Sequence, residues 1–117
     1  MIPSSLRILS LKLGRAVNKV SVQKGSRVLI FHSICQMPET VIDVSPANFR
    51  DQLKYLIDEG YNVISLEELV KNKANPDPKS VVLTFDDGFV DFYENAIPIL
   101  QELGNLPATV YAISQFV

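Results

Sequence analysis

The sequence predicts an α/β domain in which parallel strands alternate with helices. Short apolar runs such as Val81-Val82-Leu83 have no polar interruption, the pattern of strands covered on both faces. The segments between them carry helix start and stop signals, and the order along the chain is strand, helix, strand, helix. A chain of 117 residues with 47% hydrophobic and 21% charged residues has the composition of one globular domain. At this length folding would bury about 65% of the unfolded surface, enough for stability without disulfides or a structural metal. The single cysteine, Cys35, cannot bridge internally and reads as a buried free thiol.

Taken in order, Leu6, Leu9, Leu13, Val17 and Val20 recur at steps of three and four, so residues 4–20 read as a basic amphipathic helix and residues 1–26 as that helix with its linker. Its apolar stripe could cover the base of the domain or lie on a membrane surface as a peripheral contact. Gly25 breaks the pattern, and Arg27 to His32 reads as a short buried strand opening a domain over residues 27–117. Ser45 as N-cap, Pro46 at the first helical position and Gly60 as the stop bound a helix whose apolar face is Phe49, Leu53, Leu56 and Ile57. Tyr61 to Ile64 follows as a strand, and Ser65 with Glu68 forms a capping box for a helix through about Lys71. Asn75-Pro76-Asp77-Pro78 is a turn, after which Ser80 to Phe85 is a strand. A helix from about Asp91 to Leu103 is kinked or restarted by Pro98 and ended by Gly104; Ala108 to Ile113 is the last strand.

Charge narrows the function classes. Residues 1–38 carry six basic side chains (Arg7, Lys12, Arg15, Lys19, Lys24, Arg27) and no acidic one, while the remainder holds five basic and thirteen acidic residues. An acidic body argues against nucleic acid as a partner. The apolar run Val28-Leu29-Ile30-Phe31 is too short for a transmembrane segment or a signal-peptide core. The expected location is therefore cytoplasmic or at the inner membrane surface.

Asp86 and Asp87 follow the apolar strand at its carboxyl end, where parallel α/β sheets bind ligands. Two adjacent carboxylates repel, so a cation or a proton is expected between them, and Gly88 allows a tight turn. Neighbours on a strand point to opposite sides, so one acid can ligate a cation while the other faces a water. The alternative is that one of them caps the following helix. Haloacid-dehalogenase-type phosphatases need aspartates two apart, and position 85 is phenylalanine. Receiver domains need a lone phospho-acceptor aspartate with a later lysine, which this chain lacks.

Thr84-Phe85-Asp86-Asp87-Gly88-Phe89, the TFDDG segment, resembles the first motif of the polysaccharide deacetylase family, the NodB-homology domain of carbohydrate esterase family 4. Leu29-Ile30-Phe31-His32-Ser33-Ile34 resembles the first strand of the branch that begins with Tyr-His-x-Ile, with phenylalanine in place of tyrosine. The segments from Ser45 to Leu69 and Pro107-Ala108-Thr109-Val110-Tyr111 resemble what lies between and after those motifs, so the likeness runs from about residue 27 to the C-terminus. It implies a distorted (β/α) barrel, incomplete here, and a hydrolase that removes N-acetyl or O-acetyl groups from sugars of a polysaccharide. By position it implies Asp87 as ligand of a divalent metal, zinc by default, Asp86 as general base, and His32 as a residue that lines the site or supports it from behind.

The sequence departs from the family pattern in its histidines. His32 is the only one, and the downstream His-x-x-x-His motif is absent, as are the later arginine, tryptophan and acid-histidine motifs. A catalytic zinc site takes three protein ligands. The resemblance thus implies that this chain alone does not deacetylate and is a fragment or split product whose open sheet favours self-association or a missing second half. The alternative is a non-catalytic carbohydrate-binding or interaction module on the same fold.

Overall fold

The computed structural model describes residues 24–116. The helix expected over residues 4–20, with the membrane contact expected of it, lies outside the described residues. Among the described residues are six strands, all paired in parallel, which alternate with helices from the third onward: β1 (Arg27–Phe31), β2 (Ser33–Ile34), β3 (Asp43–Val44), α1 (Pro46–Asp58), β4 (Asn62–Val63), α2 (Leu66–Lys71), β5 (Ser80–Asp87), α3 (Ile97–Glu102) and β6 (Thr109–Ala112). A π-helical turn, Phe92–Ala96, precedes α3.

β5 is the axis of the sheet. β1 pairs along one edge from Arg27↔Val81 to Phe31↔Phe85. On the other edge β4 pairs with its start, Asn62↔Ser80, and β6 with its end, Thr84↔Thr109 to Asp87↔Ala112. The strand is longer than the expected Ser80 to Phe85 because β6 carries the ladder through both acids. β2 and β3 form a separate two-stranded parallel ribbon, Ser33↔Asp43 and Ile34↔Val44, which the sequence reading did not contain. Cys35, beside that ribbon, is half-buried rather than buried.

The helix ends follow their sequence signals. The Ser45 hydroxyl accepts from the Asn48 N–H at 3.2 Å. At the other end of α1, Gly60 has φ 78°, its N–H bonds Ile57 O, and the Tyr61 N–H bonds Leu56 O. That pair of bonds is a Schellman motif, which needs a left-handed residue at the position glycine fills. The Ser65 hydroxyl likewise accepts from Glu68 N–H at 3.1 Å. Pro98 acts on the turn before it: lacking an N–H and crowding the carbonyl four residues back, it leaves Phe92–Ala96 widened, with Ile97 N–H reaching Phe92 O.

The core lies between one sheet face and helices α1 and α3. Phe49 and Leu53 of α1 are fully buried against Phe31, Val81, Leu83 and Phe85, with Ile99 and Leu100 of α3 beside them. Ile57, expected on the same apolar face, is exposed at the rim. Three rings lock the centre, Phe49 meeting Phe31 edge-on at 5.1 Å and Phe85 at 5.8 Å, while Phe31 stacks on Phe85 at 5.3 Å. Arg50 reaches from α1 to Glu102 of α3 through two guanidinium nitrogens. No helix among the described residues is long and apolar enough to cross a membrane.

Candidate active site at the carboxyl end of the central strand

The same alternation that buries Phe85 turns its neighbour outward. Phe85 is fully buried, and the Thr84 hydroxyl donates to Leu29 O at 3.2 Å, tying the last apolar residues of β5 to β1. Asp86 then emerges on the face opposite Phe85. Because Phe31 registers with Phe85, the next residue of the first strand segment, His32, arrives opposite Asp86. His32 Nε2 stands 3.6 Å from Asp86 Oδ2, with the two side chains 31% and 38% exposed. That is an ion-pairing distance rather than a hydrogen bond.

Asp87 leaves the pleat. Its φ is 72° and that of Gly88 is 70°, two successive left-handed residues that turn the chain sharply away from the strand end. A Cβ at Gly88 would lie 3.2 Å from Ala112 Cβ and 3.3 Å from Ala112 Cα, tight enough that β6 would have to give by a few tenths of an ångström. Neither acid caps the helix that follows. The N-cap position is Asp91, and its carboxylate is engaged elsewhere.

Three residues next to this turn escaped the sequence reading. The Ser33 hydroxyl donates to Asp91 Oδ2 at 2.6 Å, and Asn95 Nδ2 donates to Ile34 O at 2.7 Å. The partners lie 58 and 61 residues apart, so no local pattern could reveal them. The sequence thus named the acids and His32, and the structure brings His32 and Asp86 together. It places Asp87 on the turn beyond them.

The divalent ion that the resemblance calls for finds only part of a donor set here. Among the described residues no group of three histidine, cysteine, aspartate or glutamate side chains is close enough to hold a metal ion. Asp86 and Asp87 supply carboxylate oxygens suited to a hard or borderline cation, but three-ligand coordination is not met by this segment.

Comparison with known proteins decides the lineage. The sequence profile of the family described as polysaccharide deacetylase matches residues 73–117, the stretch that holds both acids. The Bacillus subtilis protein YxkH, provisionally named a polysaccharide deacetylase, is 32% identical over 91 residues, covering 75% of this chain. The chain belongs to the polysaccharide deacetylase family. Poly-beta-1,6-N-acetyl-D-glucosamine N-deacetylase of Escherichia coli K12 is 36% identical to this family member over 63 residues, covering 51% of the chain. Among solved structures, IcaB from Ammonifex degensii superposes with a TM-score of 0.72 at 28% identity, covering 81% of the chain. The chain spans 32% of the length of YxkH, 9% of the Escherichia coli protein and 41% of IcaB. Its parallel strands alternate with helices around a sheet that does not close, an incomplete distorted barrel.

Proposed function

We propose that this chain contributes the acidic part of a hydrolytic site that removes acetyl groups from N-acetylated, or O-acetylated, sugars of a polysaccharide. The observation that carries the reading is the placement of Asp86 beside His32 at the carboxyl end of β5, one residue before the left-handed turn at Asp87. The relatives named for deacetylation of polysaccharide, and of poly-beta-1,6-N-acetyl-D-glucosamine, support it.

In this reading Asp86 is the general base. Its partly exposed carboxylate can take a proton from a water that attacks the acetyl carbonyl, with His32 standing 3.6 Å away. Asp87, turned away from the strand, is one ligand of a divalent metal, which needs more ligands than this segment brings together. When bound, such an ion polarises a carbonyl and acidifies a water.

The test uses a chimera in which residues 27–117 replace the matching region of YxkH, assayed for acetate release from N-acetylglucosamine oligomers. Asp86→Asn should lower turnover by about 10²- to 10⁴-fold while metal stays bound. Asp87→Ala should remove the metal. Unchanged divalent-ion affinity in Asp87→Ala would defeat the ligand assignment, and metal loss in Asp86→Asn alone would exchange the two roles. A chimera that binds the oligomers but never releases acetate would favour the non-catalytic carbohydrate-binding module.

A further inference from the structure

Asp87 adopts a left-handed conformation that most residues with a Cβ avoid and that aspartate visits as a single residue. Here Gly88 continues it, and two such residues in succession persist where the surroundings favour them. On one side the constraint is β6, since Asp87 registers with Ala112 and Gly88 lies against the same residue. On the other side the chain after the turn is fastened to β2 by the Ser33–Asp91 and Asn95–Ile34 hydrogen bonds at 2.6 and 2.7 Å. Ser33 and Ile34 are buried, so this anchor is rigid.

The arrangement has a second feature. His32 and Ser33 are consecutive, yet His32 faces Asp86 at the start of the turn while Ser33 holds Asp91 at its end. One dipeptide therefore meets the acidic loop at both ends, by a 3.6 Å approach to Asp86 and by a hydrogen bond to Asp91. Asp91 also keeps its other oxygen, Oδ1, buried without a hydrogen-bond partner among the described residues. A buried orphan acceptor opposes stability, so a staple serving stability alone is poorly made from this carboxylate.

We propose that Asp91, acting through Ser33, is a positioning residue that holds Asp87 left-handed and so sets the direction of the Asp87 carboxylate. The inference rests on the reading of Asp87 as a metal ligand, and its test separates the two. The 117-residue chain and its Ser33→Ala, Asp91→Ala and Asp91→Asn variants are compared by NMR. The HN–Hα coupling and carbon shifts of Asp87 report its φ, and amide exchange at Gly88 reports the local opening. Mn²⁺ is then added alone, and line broadening around Asp87 is followed.

In Ser33→Ala and Asp91→Ala the left-handed signature of Asp87 should be lost, exchange at Gly88 should quicken by about tenfold, and Mn²⁺ broadening should weaken. Asp91→Asn keeps an acceptor for the Ser33 hydroxyl and should behave as the parent. If folded Ser33→Ala keeps both the left-handed signature and the Mn²⁺ response, losing only urea resistance, Asp91 is a plain staple and the proposal fails. Should Asp91→Ala not fold, Ser33→Ala, which removes one oxygen, decides. Absence of any Mn²⁺ response in the parent overturns the ligand reading, and the φ and exchange measurements still judge the clamp.

Discussion

Gly60 and Gly88 share a left-handed φ, 78° and 70°, but not their surroundings. A Cβ at Gly60 would meet nothing within 4 Å, whereas one at Gly88 would press on Ala112 at 3.2 Å. Gly60→Ala should therefore cost only the conformational penalty, about 1 kcal/mol, and Gly88→Ala that penalty plus overpacking, about 2 to 3 kcal/mol together. Urea unfolding of the two variants checks the order, and equal losses would show that β6 yields easily at Ala112. Asp86, Asp87 and His32 were all legible as candidates in the sequence. Ser33, Asp91 and Asn95 were not, because a serine, an aspartate and an asparagine near turns have no distinctive spacing until β1 and β5 pair.

At the scale of elements, most boundaries were written locally. Ser45, Gly60, Ser65 and Pro98 each act on backbone groups within five residues, and each shaped its helix as its chemistry dictates. The β2–β3 ribbon is different, since two-residue strands carry no periodicity and exist only through their pairing. The connection between them is organised by Asp43, whose carboxylate accepts from Thr40 N–H at 2.8 Å and Glu39 N–H at 3.0 Å. Those bonds, Thr40 first and then Glu39, lower its pKa from the ordinary 3.8. A depressed folded-state pKa adds local stability in full above the ordinary value, and that contribution is lost as pH falls through the folded-state pKa. Amide exchange at Thr40 should accordingly quicken, beyond the intrinsic trend, as pH drops below 3.8. Asp43→Asn should remove that acid-dependent step, and persistence of the step in the variant would point to another group.

One sheet face is well covered, and the other is buried at Val82 and Thr84 of the central strand but exposed along β1. Val28 and Ile30 alternate with core residues of β1 and are 45% and 63% exposed, and among the described residues no strand pairs with the outer edge of β1. An exposed apolar strand with a free edge recruits another copy. Sedimentation velocity should show association rising with concentration, and Ile30→Lys should shift the chain towards monomer with little change in its urea midpoint. A parent chain that stays monomeric across that range would dispose of the idea.

By itself the sequence determined the alternation of strands and helices, the helix caps, the family likeness and the acidic pair, because each is encoded in apolar patterning or in contacts between near neighbours. The tertiary structure decided which face each acid occupies, which residue stands opposite it and what holds the turn. Those outcomes follow from two pairings between distant segments, the register of β1 on β5, 54 residues apart, which places His32 against Asp86, and that of β6 on β5, 25 residues apart, which places Ala112 under Gly88.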